Sequence, residues 1–272
     1  MRRSHGTRAA RALQVTHTLE GHSLGILGIW LDPQPGQQRA VSGGFDADIR
    51  QWDFSEGARG RCVHTMTGHS GPIVSVEAST DAIVSTSFDG TVRVWSWEGQ
   101  ERACLYGHDG HSSGLALCDG FAYSGGDDDL CKRWDLATGA CVDELRGHEG
   151  AVWSIACDGR TLVSASTGGS LILWDPRVPA QLVHHAPRAH NDAIAGLQFD
   201  GHKVVSSGFD SLVKIWDLRT LVRTARTYHR HPLADRPAPP LRPACARPTP
   251  APADRLPCGR RCRKSVPSCR RR

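Results

Sequence analysis

The stretch AVSGGFDADIRQWD (40–53) has close counterparts at four further places in the same chain. They are IVSTSFDGTVRVWS (83–96), AYSGGDDDLCKRWD (122–135), LVSASTGGSLILWD (162–175) and VVSSGFDSLVKIWD (204–217). A Gly-His or Ala-His pair stands ahead of each, at His22, His69, His108, His148 and His190. In four of the five the His comes 26 residues before the Trp; the first has 30, the excess lying in the Pro/Gly/Gln-rich stretch 32–38. The tryptophans Trp52, Trp95, Trp134, Trp174 and Trp216 are 43, 39, 40 and 42 residues apart. A fixed period of this length marks an array of units, each of which buries its apolar face only by stacking on a neighbour.

Within a unit the pattern is one of short strands. IVSVEA (73–78), AIVSTS (82–87) and TVRVWSW (91–97) are rich in β-branched residues, partly alternate, and are broken by Asp-Gly or Gly-Gly turns. The turn before the third strand, Phe-Asp-Gly or a variant of it, suits a positive φ. Four short antiparallel strands per ~40 residues describe one blade of a β-propeller. With its Gly-His openings and Trp-Asp closings, the chain resembles the WD-repeat (WD40) family over residues 13–222. The repeats fall at about 21–53, 68–98, 107–137, 147–177 and 189–219.

The resemblance implies an all-β propeller with a hydrogen-bonded His, Ser, Asp and Trp in each blade. The matching residues are His22, Ser42, Asp46 and Trp52; His69, Ser85, Asp89 and Trp95; His108, Ser124, Asp128 and Trp134; and His190, Ser206, Asp210 and Trp216. The fourth repeat has His148, Ser164 and Trp174, but Gly168 occupies the Asp position, so that blade is expected to be locally weaker. A chain in which each donor meets an acceptor offsets the burial of its polar groups. Recurrence of the His–Ser–Asp set in nearly every unit marks it as architecture and argues against a hydrolase triad.

Five units leave two readings open: a five-bladed ring, or a truncated piece of a larger propeller. ALQVTHTL (12–19) reads as an outermost strand that could complete the last blade in a closed ring. Beyond the repeats, residues 223–272 carry 14 Lys/Arg and two Asp, whereas the rest carries 19 basic and 26 acidic residues, a net of −7. From His229 onward there are ten Pro and four residues of the Leu/Ile/Val group, a composition expected to be disordered. The abrupt switch favours truncation. An acidic body disfavours a uniformly cationic nucleic-acid binder; the tail patches Arg260–Lys264 and Arg270–Arg272 allow weak polyanion contact or nuclear import, or are simply solvated. The basic stretch 1–12, with Arg2, Arg3, Arg8 and Arg11, reads as an exposed end, a mitochondrial presequence being the alternative. Cys62, Cys104, Cys118, Cys131, Cys141 and Cys157 read as reduced thiols of an intracellular protein, in cytoplasm or nucleus. In the tail, Cys245, Cys258, Cys262 and Cys269 lack the close pairs that tetrahedral zinc favours, so no metal or cofactor is expected. No apolar run reaches the roughly 18 residues that span a bilayer.

Function must be read from sites on the scaffold. The residue before each turn Asp should project to the top rim, giving Phe45, Phe88, Asp127, Thr167 and Phe209, joined by Trp153. Such aromatics are binding anchors or else pack on a neighbouring blade. Asp127, Asp128 and Asp129 favour a basic partner peptide. Separately, VVSSGFDSLVKIWDLR (204–219) resembles the DWD box by which some WD-repeat proteins dock on the DNA-damage-binding adaptor of cullin-RING ubiquitin ligases. Asp217 with Arg219, and Asp175 with Arg177 one repeat earlier, carry that likeness. The compact repeats also resemble F-box/WD proteins, though no F-box helices are legible upstream. The expectation is a non-enzymatic platform for protein or peptide partners, with a ligase substrate receptor as the narrower form. The alternative is a scaffold in a signalling or RNA-processing assembly without ligase contact.

Overall fold

The computed structural model describes residues 15–34, 36–55, 60–178 and 181–219. Residues 1–12 and 223–272, including the tail cysteines and basic runs, lie outside them.

Five antiparallel sheets follow one another along the chain. The first comprises β1 (Ile26–Leu31), β2 (Arg39–Gly44), β3 (Ile49–Asp53) and β4 (Arg61–Met66). The second comprises β5 (Ile73–Ala78), β6 (Ile83–Ser87), β7 (Val92–Trp95) and β8 (Glu101–Leu105). The third comprises β9 (Ser112–Cys118), β10 (Phe121–Gly126), β11 (Cys131–Asp135) and β12 (Ala140–Leu145). The fourth comprises β13 (Val152–Cys157), β14 (Leu162–Ser166), β15 (Leu171–Asp175) and β16 (Gln181–Ala186). The fifth has three strands, β17 (Ile194–Phe199), β18 (Lys203–Gly208) and β19 (Val213–Asp217). Strands pair in sequence order within each sheet, and the first strands pack in succession: β1 on β5, β5 on β9, β9 on β13, β13 on β17. This is the blade arrangement of a β-propeller.

Two irregularities recur and set where side chains point. The first and second strands slip register by one residue near their start, at Leu27, Val74, Trp153 and Ala195, with a like shift opposite Ser112–Leu115. A bulge of this kind re-aims the extra side chain. The second lies between strands three and four, immediately before Trp52, Trp95, Trp134 and Trp174. The turn after each second strand places Ala47, Gly90, Asp129, Gly169 and Ser211 at φ between 62° and 78°. Three of these are not glycine, so the left-handed turn is held by the hydrogen bonds of the aspartate three residues before the third strand, Asp46, Asp128 or Asp210.

The core lies between sheets. Trp95 joins Val41, Ile49 and Met66 of the first sheet to Ile73 and Val76 of the second. Trp134 packs with Val84, Val92 and Leu105, Trp174 with Tyr123 and Leu145, and Trp216 against the cluster of Val163, Leu171 and Leu173. Each fully buried indole or branched aliphatic contributes on the order of 1.5–3 kcal/mol, so the contacts between sheets hold the array. The six body cysteines are free, and only Cys131 is fully buried.

The end sheets leave apolar faces in solvent. Ile29 is 75% exposed, and Val213 and Ile215 are each 69% exposed. Residues 15–19 take no strand conformation, against the reading of 12–19 as an outer strand; residues 12–14 lie outside the described residues. The reason is positional. His17 and Leu19 lie beside Gly60 just as His64 lies beside Gly99 and Ala103 and Leu105 beside Gly139. They therefore stand where the fourth strand of a preceding sheet would stand, with no third strand among the described residues to pair with. Among the described residues no helix is long and apolar enough to cross a membrane.

Candidate functional site

The supports come first. An indole N–H can only donate, so Trp95 Nε1–H donates to Ser85 Oγ at 2.9 Å. The Ser85 hydrogen then goes to Nε2 of His69 (2.8 Å), leaving Nδ1–H of His69 to donate to Asp89 (2.8 Å). The same chain runs Trp52–Ser42–His22–Asp46 at 2.7, 2.7 and 2.9 Å. It runs Trp134–Ser124–His108–Asp128 at 2.7, 2.7 and 2.9 Å. In the last sheet, Trp216–Ser206–His190–Asp210 are spaced 2.9, 2.7 and 2.8 Å.

Each aspartate also bridges two loops. Asp89 accepts from the amides of Ser70 (2.9 Å) and Thr91 (2.9 Å) and from the Thr91 hydroxyl (2.7 Å). Burial alone would raise its pKa, but the Thr91 hydroxyl, the two amides and His69 outweigh that and hold it at about 2. Burial is also the main influence on His69, whose pKa it lowers despite the facing carboxylate.

The fourth sheet differs from the sequence reading. Nδ1 of His148 meets Ser170 Oγ at 2.6 Å, and Ser170 meets Ser166 Oγ at 2.8 Å. Nε2 keeps its contact with Ser164 (2.6 Å), which still accepts from Trp174 Nε1 (2.8 Å). A serine thus takes the place of the missing carboxylate. Burial, reinforced by His185, pushes His148 down to about 3, so it stays neutral. Gly168 is required here: a Cβ at that position would overlap the carbonyl of Glu149. Ser170 was not legible because its counterpart Thr91 touches Nδ1 of His69 only as a second contact, at 3.2 Å, behind the aspartate that this sheet lacks.

At the rim the named aromatics are exposed and fall into groups. Phe209 is 62% and Trp153 41% exposed, and their rings meet edge-on at 6.3 Å across the fourth and fifth sheets. Phe88 stacks on His111 at 4.4 Å, and His111 Nδ1 lies 3.1 Å from Asp127 Oδ2. Phe45 stands apart, beside Gly25. Thr167 lies beside Gly150 and joins neither group. His111 was missed in the sequence, although it is the one imidazole after a Gly-His pair that does not recur. A cavity of about 340 Å3 opens next to Trp153, between the first strands of the second to fifth sheets. Its lining includes Glu77, which, like Ser170 and His111, no sequence pattern singles out.

The DWD-type arginines lie at the opposite strand ends. Arg177 donates from Nε (2.8 Å) and Nη2 (2.7 Å) to Asp175, and Arg219 likewise to Asp217 at 3.0 and 2.6 Å. Both guanidinium groups are exposed. The two sites share one geometry one blade apart.

Comparison with known proteins completes the picture. The family model "WD domain, G-beta repeat" matches residues 13–53, 60–96, 139–175 and 181–217. F-box/WD repeat-containing protein sel-10 of Caenorhabditis elegans is 31% identical over 47% of this chain and 23% of its own. Pre-mRNA-processing factor 19 of Oryza sativa subsp. japonica is 30% identical over 60% of this chain and 32% of its own. Nuclear distribution protein PAC1 of Arthroderma otae is 29% identical over 58% and 37%. The chain thus spans well under half the length of these relatives. The first three strands of the third sheet fall outside the matched stretches, yet they carry their own Trp134–Ser124–His108–Asp128 chain. With the repeat matched over more than half of its residues and built as blades, this chain belongs to the WD-repeat family.

Proposed function

We propose that the chain is a non-catalytic interaction scaffold that captures a protein or peptide partner on the rim formed by Phe45, Phe88, Asp127, Trp153 and Phe209. The observation that carries this reading is the Trp153–Phe209 pair, two large rings left in solvent yet held against each other by adjacent sheets. Rigid, partly exposed aromatics make interface anchors because little conformational entropy is lost when they are covered. The His–Ser pairs do not compete as catalytic centres: His69 and Ser85 are buried and committed to Trp95 and Asp89. The reading places the protein in the cytoplasm or nucleus, consistent with free thiols.

The narrower function is that of a substrate receptor of a cullin-RING ubiquitin ligase, docked through Arg177 and Arg219. Each guanidinium spends Nε and one Nη2 hydrogen on its own aspartate, which fixes the fork and leaves Nη1 free to donate outward. An F-box/WD protein among the relatives gives this reading support by name only. The test is direct binding of the purified ligase adaptor to the wild-type chain and to R177A/R219A. Loss of binding on substitution supports the receptor role. Binding that is absent or unaffected removes it and leaves the scaffold without ligase contact, in a signalling or RNA-processing assembly.

A further inference from the structure

The cavity beside Trp153 is built like a receptor for one cationic side chain. Its wall is formed by Val74, Ser75 and Glu77 of β5, by Ser113 of β9, by Trp153 and its neighbours on β13, and by Ala195 of β17. The bulges determine its character, because the extra residues Val74, Trp153 and Ala195 all stand in its wall. Glu77 is the sole ionisable group of the lining, and among the described residues it has no ion pair or hydrogen bond of its own. Burial raises it to about 7, with no charged neighbour to oppose the rise.

The surroundings of Glu77 provide no internal counter-charge. β1 and β6, which pack on β5, carry no ionisable side chain. β9 brings only Cys118, and β2 only Arg39, which is held by Asp32 at 2.6 Å and lies over the Trp97 ring. A half-buried carboxyl with no cationic neighbour, in a cavity large enough for several side-chain atoms, favours an incoming cation. The polar character of the wall selects a guanidinium over an ammonium, because Ser75, Ser113 and Ser154 stand in it with Glu77 and suit a planar group with five N–H donors.

We infer that this cavity binds the arginine side chain of a partner peptide, with Glu77 as its counter-ion. The inference deepens the proposed function, since it rests on the rim as the capture surface and names what the partner must present. Binding is linked to protons, because Glu77 must ionise before it can pair with the cation. For a group that titrates near 7, the ionised fraction is about tenfold larger at pH 8 than at pH 6, and the affinity for a cation follows it.

The experiment titrates the full chain with methylguanidinium, and separately with methylammonium, following the Glu77 carboxyl carbon and the Trp153 indole N–H by NMR. The expected result is that methylguanidinium shifts both signals, lowers the Glu77 midpoint and binds about tenfold more weakly at pH 6. Methylammonium should bind several-fold more weakly than methylguanidinium, and E77Q, which preserves the shape, should abolish the response. A Glu77 signal indifferent to methylguanidinium, or E77Q binding as tightly as wild type, overturns the site. Equal binding of the two cations overturns its assignment to arginine. Because the probe needs no partner, failure here is separable from failure of the rim, which is read by W153S/F209S.

Discussion

The Ser170 hydroxyl lies 2.6 Å from Nδ1 of His148, at the point where the other four sheets place an aspartate carboxylate. Substituting Ala at 170 leaves a buried imidazole N–H without an acceptor, which costs about 1–3 kcal/mol. Urea unfolding of S170A should show that loss. Reinstating the repeat's carboxylate with G168D should destabilise the chain too, because a Cβ at 168 collides with the Glu149 carbonyl. A stabilised G168D would contradict the account of this loop.

The same substitution sets a pH response. His148 titrates at about 3 in the folded chain and near 6.5 when unfolded, so between those values only the unfolded state takes the proton. Its contribution to stability is complete above pH 6.5 and is lost progressively as the pH falls toward 3. Imidazole carbon shifts measured by NMR should show His148 still neutral at pH 5. A midpoint near 6 would be incompatible with its buried contacts to Ser164 and Ser170.

Much of the fold was legible because the spacing of Gly-His and Trp-Asp recurs, whereas the chemistry of single positions is less so. IVSVEA (73–78) coincides with β5, while TVRVWSW (91–97) shortens to β7, since Ser96 begins the turn to β8. His69, Ser85 and Trp95 could be grouped from recurrence alone, because a set that returns at constant spacing has one geometric meaning. His111 and Glu77 do not recur, and Ser170 recurs only as Thr91 beside His69. Their roles arise from a hydroxyl that stands in for a missing carboxylate, a ring that stacks across two sheets and a strand position that lines the cavity, none of which a period reveals. The aromatic rim lies between these cases: position before the turn Asp predicts projection, but not that Trp153 and Phe209 would meet.

The end faces give a contrast in stability. Ile194 is fully buried against the fourth sheet, so I194A should cost about 2–5 kcal/mol. Ile215 on the same sheet is largely exposed, and I215T should change stability by no more than about 0.5 kcal/mol. Chemical denaturation of both variants checks this. A large loss in I215T would mean that its face is covered in solution.

Rim residues should also separate by their partners. F88S loses its stacking on His111 and should destabilise by about 0.5–1.5 kcal/mol. F45S, whose ring is 46% exposed and lies beside Gly25, should remain within about 0.5 kcal/mol of wild type. Calorimetric unfolding of the two variants decides it, and a collapse of the fold in F45S would assign that ring to the core.

The most direct test of the capture surface is site-specific photocrosslinking in cells, with a benzophenone side chain at position 209 and, as control, at the exposed Val142 on the outer strand β12. The account predicts a discrete protein adduct from position 209 that is absent from position 142 and suppressed when Trp153 is changed to Ser. No adduct from 209, or the same adducts from both positions, would contradict it.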